Sequence, residues 1–159
     1  MKKTKNKKLH NLFNLKNKVI IITGALGLLG KKHVEVVAEN GGIPIILDIK
    51  DKPAQLFAKK IEQKYNSPVL ALNVDITDEK KIVESCKIII KKFGCIDGLV
   101  NNAAINPKVE EINDKNFSRL ENFSLEMWNK DIAVGLTGAW LCSKHYGTAI
   151  SKNKKGGSI

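Results

Sequence analysis

Three glycines in the stretch TGALGLLG (23–30) have a spacing that suits phosphate binding. The stretch follows the apolar run VIIIT (19–23) and precedes a helical pattern, so it predicts a turn between a strand and a helix. Gly24 permits a tight turn that residues with side chains resist, and Gly30 allows the helix to pack closely on the sheet. The first N–H groups of such a helix, at the positive end of its dipole, can bind a pyrophosphate. The stretch therefore predicts a dinucleotide-binding turn.

Two aspartates at the ends of the next two strands could complete such a site. Asp48 ends the run IPIILD (43–48) and lies 24 positions after Gly24. A carboxylate at this distance accepts hydrogen bonds from the adenosine ribose hydroxyls and repels a 2′-phosphate. Asp75 ends PVLALNVD (68–75) and could accept a hydrogen bond from the adenine amino group. The cofactor predicted is NAD, with NADP less favoured; the alternative is that both aspartates only cap turns.

The elements that must position these residues alternate regularly along the chain. Apolar runs predict strands at 19–23, 43–48 and 68–75 and a fourth strand within 95–103, and helical periodicity predicts helices at 28–40, 53–65, 78–93 and 124–151. The alternation predicts parallel strands joined by right-handed crossovers. The final GGSI (156–159) has the pattern of a strand beginning. The predicted fold class is α/β, a doubly wound parallel sheet (Rossmann fold) with strand order 3-2-1-4 plus the start of strand 5.

Length, charge and apolar content restrict the classes of protein. The 159 residues fit one domain, which we divide into a basic tail (1–13) and a nucleotide-binding domain (14–159). The net charge of +11 suggests nucleic acid as a partner, but Arg119 is the only arginine and the lysines are dispersed, so no nucleic-acid partner is predicted. No apolar run approaches the length of about 18 residues that spans a membrane. The N-terminus lacks the pattern of a signal peptide, so a cytoplasmic location is expected.

The cysteines and histidines form no recognisable metal or redox motif. The spacings of Cys86, Cys95 and Cys142 match neither a zinc site nor a CxxC pair. We expect reduced thiols that serve as small apolar side chains. The three histidines lie far apart in the sequence and form no ligand set, so no metal site is predicted.

From Leu15 onward the sequence resembles the short-chain dehydrogenase/reductase family. KNKVIIITGALGLLG, LDIK, ALNVDIT and GLVNNAAI follow one another in the order and spacing of that family. The most specific piece is NNAA (101–104), which in the family steadies the central strand and lines the cofactor pocket. The resemblance implies cofactor contacts at Gly24, Leu26, Leu28, Leu29, Asp48, Ile49, Asp75, Ile76, Asn102, Ala103 and Ala104.

The resemblance also implies an activity for the complete protein. It would be an NAD-dependent oxidoreductase that transfers a hydride between nicotinamide and a small or sugar-like alcohol or ketone, with a substrate mouth bordered by the loop 105–122. Two alternatives stay open: a non-catalytic NAD-binding module, and a sugar-nucleotide epimerase or dehydratase. The latter is suggested by the glycine spacing T-G-x-x-G-x-x-G, which is typical of the extended branch of the family. The combination of this glycine spacing with NNAA resembles the pattern of a subgroup of the family that is associated with flagellin modification and amino-sugar biosynthesis.

The long helix 124–151 has a further implied role. In the family this helix faces a partner subunit, so the complete protein is expected to be a homo-oligomer. Trp140 and Tyr146 would then be exposed on the isolated chain; the alternative is that they pack on the sheet, since an apolar stripe does not reveal which surface it meets. Ser124 is expected to cap the start of the helix.

Two departures from the family pattern concern the chemistry. Gly135 occupies the position of an asparagine that usually helps a proton relay, so a relay would need another group. A glycine within a helix also costs about 1 kcal/mol, so we expect a kink or a close approach there. The family's serine and Tyr-x-x-x-Lys follow the fifth strand, and neither Tyr65 nor Tyr146 has a lysine four residues later. Because the reacting oxygen needs a proton donor or acceptor, we predict no catalytic residue in these 159 residues and an inactive, C-terminally truncated form.

Overall fold

The computed structural model describes residues 13–105 and 119–159. The basic tail expected at 1–13 lies outside the described residues except for Phe13. Most of the loop expected at 105–122 also lies outside them, so its predicted place beside the substrate remains a prediction.

Four parallel strands form one sheet in the order β3-β2-β1-β4. This confirms the predicted fold class and strand order. Ser158 forms an isolated parallel bridge with Gly98 at the outer side of β4, where the fifth strand was expected. The strands are β1 (Val19–Thr23), β2 (Ile43–Asp48), β3 (Leu70–Asn73) and β4 (Gly98–Val100).

Helices connect the strands and cover the sheet. They are α1 (Leu28–Glu39), α2 (Asp51–Tyr65), α3 (Glu79–Phe93), α4 (Leu125–Ile132) and α5 (Ala139–Ser151). A π-helical segment (Ala133–Gly138) joins α4 to α5. The third strand is shorter than the predicted run 68–75, and the fourth lies within the stretch 95–103 that was expected to contain it.

The apolar core has two layers, one on each face of the sheet. Ile21 belongs to the layer that contains Tyr146 of α5, and Ile22 belongs to the layer that contains Val34 of α1. Successive side chains of a strand point to opposite faces, and both isoleucines are fully buried. A strand covered on both faces needs a continuous apolar sequence rather than an alternating one, which explains the run VIIIT.

Local contacts mark the beginning of α3 and α4 and the end of α3. Asp78 caps α3 through its Oδ1, which accepts from the Lys80 N–H at 3.0 Å, and Gly94 ends that helix with a φ of 85°. Ser124 caps α4, its Oγ accepting from the Met127 N–H at 3.1 Å. Asp78 therefore caps α3, and the cap of α4 predicted at Ser124 is confirmed.

The long helix departs from the sequence prediction in two ways. Its middle is widened into the π-helical segment, which is the expected irregularity near Gly135. The other alternative, a close approach at Gly135, is not found: beyond its own stretch of helix, no atom of the described residues lies within 4 Å of the position that a Cβ would take there. The close approach occurs at Gly138 instead, where a Cβ would lie 2.7 Å from Ile76 Cδ1. Trp140 is 58% exposed, as expected for a residue that would face a partner subunit. Tyr146 is fully buried, as the alternative of packing on the sheet held.

The described part of the chain contains free thiols and no metal-ligand cluster. Cys86 and Cys95 are half-buried and Cys142 is buried. Burial raises the pKa of each thiol, and that of Cys142 reaches about 12. Among residues 13–105 and 119–159, no group of three or more potential ligands could hold a metal ion, and no helix has the length and apolar content to cross a membrane.

Candidate functional site

In the turn after β1, two positions have no room for a side chain and therefore require glycine. Gly24 has a φ of 60°, and a Cβ there would lie 2.8 Å from Ala103 Cα. A Cβ on Gly30 would overlap the carbonyl oxygen of Gly24 and press on Ala25. The close contact of Gly30 is therefore with the turn itself and not, as the sequence suggested, with the sheet. Together the two glycines fold the turn tightly over the start of α1.

The first turn of α1 is exposed and contains no acidic residue. Its N-cap, Gly27, has an extended backbone and no side-chain cap, and the first turn contains no acid. Leu28 and Leu29 are 86% and 63% exposed. The first N–H groups of a helix lack partners within the helix and lie at the positive end of its dipole. This end of α1 can therefore bind an anion such as a phosphate.

The segment after β4 is held against this turn by a compact hydrogen-bond network. Thr23 Oγ1 accepts from the N–H groups of Asn102 and Ala103, both at 3.0 Å. In return, the Asn102 side-chain amide donates to the carbonyl oxygens of Thr23 (2.9 Å) and Gly24 (3.1 Å). Thr23 is fully buried. Sequence reasoning missed this threonine, although a hydroxyl residue at the end of an apolar strand was a usable signal.

Asp48 joins the end of β2 to the same turn. Its Oδ2 accepts from the Leu26 N–H at 2.9 Å, and its Oδ1 accepts from the Lys50 N–H at 3.1 Å. The side chain thus caps its own turn, as the alternative interpretation held, and also supports the glycine-rich turn. A carboxylate has about four acceptor sites, so it retains capacity for further donors. Ile49 is 66% exposed beside it.

Asp75 lies at the end of β3 in a turn of its own. Its Oδ1 accepts from the hydroxyl of Thr77 at 2.7 Å and from the Thr77 N–H at 2.9 Å. These two hydrogen bonds, the hydroxyl first, hold the pKa of Asp75 below its usual value. Asp75 therefore has the turn-capping contacts of the alternative interpretation. The neighbouring Ile76 is buried against Gly138.

Neither of the two tyrosines of the chain lies where it could donate a proton beside the glycine-rich turn. Tyr146 is fully buried, and its hydroxyl lies 2.6 Å from Ser85 Oγ. Burial raises the pKa of this phenol well above its usual value. Tyr65 ends α2 at the amino end of the sheet, away from the turn. Of the two tyrosines, neither reaches the carboxyl ends of the strands, where the glycine turn and the aspartates meet.

A separate cavity of about 500 Å³ lies at the opposite, amino end of the sheet. It lies between the ends of α1 and α2, and its lining includes Lys16, Glu39, Tyr65 and Ser67. None of the predicted cofactor residues lines it. The physical features that suit a dinucleotide are at the other end of the strands, so we place the candidate site there.

Comparison with known proteins gives a consistent result. A family model described as short chain dehydrogenase matches residues 18–159. The NAD-dependent glycerol dehydrogenase of Listeria innocua is 31% identical over 136 residues, which cover 85% of this chain and 48% of that protein. The NADP-dependent mannitol dehydrogenase of Alternaria alternata is 28% identical, with 95% and 54% covered. This chain spans about half the length of the two curated relatives named above.

The solved structures agree on the fold. NAD+-bound xylitol dehydrogenase superimposes with a TM-score of 0.72 at 21% sequence identity, over 86% of this chain and 49% of that one. At this identity the likeness concerns the fold alone.

Proposed function

The chain belongs to the short chain dehydrogenase family, and on this premise we propose that it is the nucleotide-binding part of an NAD-dependent oxidoreductase. The complete protein would transfer a hydride between nicotinamide and an alcohol or ketone of polyol or sugar type. The relatives named above act on glycerol and mannitol, which favours this substrate class. NAD supplies the hydride chemistry, and the residues of this chain supply binding and orientation.

The observation that carries the proposal is the fit of Gly24 against Ala103 beside an uncapped helix start. A backbone free of side chains there lets a pyrophosphate approach the first N–H groups of α1. We extend the proposed contacts to every position that the sequence indicated. These are Gly24, Leu26, Leu28, Leu29, Gly30, Asp48, Ile49, Asp75, Ile76, Asn102, Ala103 and Ala104.

The test compares alanine substitutions at two glycines whose backbone is in the left-handed region. Gly24→Ala places a methyl group against Ala103, whereas Gly94→Ala strains a helix end with no described atom within 4 Å of the new Cβ. We expect Gly24→Ala to weaken NADH binding at least tenfold, measured by the fluorescence of bound NADH. Gly94→Ala should lower the thermal midpoint while leaving NADH affinity unchanged. Equal NADH affinity of wild type and a folded Gly24→Ala variant would refute the proposed site.

The preference for NAD over NADP depends on the charge of Asp48. Asp48→Asn keeps an oxygen that can accept from Leu26 and removes the negative charge that repels a 2′-phosphate. The ratio of NADPH to NADH dissociation constants should fall several-fold in this variant. Asp51→Asn, an exposed change in the first turn of α2, is the control. An unchanged ratio in Asp48→Asn would contradict the role of this carboxylate.

We also propose that these 159 residues alone bind the cofactor without transferring a hydride. The support is the location of the two tyrosines, one buried against Ser85 and the other at the amino end of the sheet. The purified chain should show no NADH oxidation with a panel of ketones and ketoses. NADH turnover that Asp48→Arg abolishes would overturn this part of the proposal.

Assembly of the complete protein through the helix at 124–151 remains a proposal. It is supported by large apolar side chains exposed along this helix: Trp128 is 54%, Leu136 63% and Trp140 58% exposed. Sedimentation velocity should show a concentration-dependent dimer that Trp140→Glu removes. A monomer at all concentrations would count against self-association of this surface.

A further inference from the structure

One buried side-chain polar atom of the described residues, Oδ1 of Asp131, has no hydrogen-bond partner among them. Asp131 lies in the last turn of α4. Its sequence neighbour Lys130 donates to Glu126 at 2.7 Å, so that cation already has a partner. Burial of an acceptor without a donor is unfavourable, and more so for a charged group. An unsatisfied group of this kind requires an explanation, such as a place in a binding site.

The position of Asp131 follows from the direction of the long helix. Ser143 of α5 accepts from Asn101, which follows the carboxyl end of β4. Asn153, beyond the end of α5, donates to Ile96, which precedes the amino end of β4. The helix therefore runs antiparallel to the strand, and its earlier turns project past the carboxyl end of the sheet. This is the end that carries the glycine-rich turn, Asp48 and Asp75.

The distance along the helix places Asp131 beyond the carboxyl ends of the strands. Gly138 packs on Ile76, directly after the Asp75 turn, and so marks the level of the strand ends. Asp131 precedes Gly138 by seven residues, or about 10 Å at the usual helical rise of 1.5 Å per residue. It also comes directly before the π-helical segment, an irregularity often found at functional sites. Gly135, one turn later, adds no side chain to the space beside it.

The chemistry of the unpaired oxygen restricts what it would bind. A carboxylate oxygen accepts hydrogen bonds and donates none when ionised. A substrate hydroxyl can supply the missing donor, and a bond to a charged acceptor is stronger than one between neutral groups. We propose that Asp131 is a substrate-binding residue that accepts a hydrogen bond from a non-reacting hydroxyl of a polyol substrate. The inference deepens the proposed function and rests on it.

The test measures polyol and cofactor binding separately in the same protein. The purified chain is saturated with NADH and titrated with xylitol, a small uncharged polyol, while amide shifts are followed by NMR. Asp131→Val removes the acceptor, and Asp131→Asn keeps the shape and one neutral acceptor. Glu126→Gln, an exposed acid on the same helix, is the matched control.

The expected result is a loss of xylitol affinity of at least tenfold in Asp131→Val and a smaller loss in Asp131→Asn. NADH affinity should stay unchanged in both, and Glu126→Gln should bind xylitol as the wild type does. A purely structural role would instead lower the thermal midpoint and weaken both ligands together, which would overturn the inference.

Two further outcomes separate the inference from the proposed function. Wild-type protein that binds NADH and not xylitol would overturn the role of Asp131 and leave the proposed function standing. Protein that binds no NADH would overturn the proposed function and the inference with it. Unchanged xylitol affinity in a folded Asp131→Val variant would overturn the inference alone.

Discussion

The hydroxyl of Thr23 provides a sharp test of how the candidate site is held together. Thr23→Val keeps the shape of the side chain and replaces the oxygen by a methyl group. That oxygen accepts from two N–H groups, those of Asn102 and Ala103, and its own proton points to the Val100 carbonyl at 3.4 Å. The substitution therefore leaves two backbone donors without their acceptor in a buried place.

The magnitude follows from those two donors. A buried donor that loses its acceptor costs about 1–3 kcal/mol. Because Asn102 and Ala103 are half-buried, water can reach them in part, and the lower half of that range applies. The total is then about 2–4 kcal/mol in the free energy of unfolding. For a domain of this size each kcal/mol lowers the thermal midpoint by about 2–4 °C, so a decrease of about 4–16 °C is expected.

The assay compares Thr23→Val with Thr23→Ser in urea and thermal unfolding. Thr23→Ser keeps the hydroxyl and loses one buried methyl group, which costs about 1 kcal/mol. Thr23→Val should be the less stable of the two and should also bind NADH more weakly, because the segment after β4 is released from the turn. Equal or greater stability of Thr23→Val would show that the hydroxyl does not hold this segment, and the reasoning would fail.

Three other predictions concern buried or hydrogen-bonded groups. Tyr146→Phe should lower the free energy of unfolding by about 1 kcal/mol in urea, since it removes only the bond to Ser85; an unchanged urea midpoint would refute this. Cys142, with a pKa of about 12, should react with a thiol reagent at pH 8 only as fast as the protein unfolds. Asp75, whose pKa is lowered in the fold, stabilises the protein above the usual carboxyl pKa of about 4 and loses this effect as pH falls through its lowered value. Thr77→Val should raise that pKa in an NMR titration, and no upward change would contradict the assigned cause.

Much of the fold could be predicted because local patterns and the sheet agree. The continuous apolar run at 19–23 requires a strand covered on both faces, and Ile21 and Ile22 are buried in two different layers. Gly94 and Asp78 mark the ends of α3 by local chemistry that the sequence displays. Where the pattern was ambiguous the sequence left two alternatives open: the apolar stripe of the long helix could not reveal that Trp140 is exposed and Tyr146 buried.

By itself the sequence determined the order of strands and helices, the glycine-rich turn and the aspartates at the ends of the second and third strands. These depend on backbone freedom and on periodicities that are local in the chain. Only the tertiary structure decided that Thr23 holds the segment at Asn102, that Gly138 and not Gly135 makes the close approach, and that the Asp131 oxygen is buried without a partner. Each of these depends on contacts between elements far apart in sequence, and such contacts exist only once the sheet and its helices have packed.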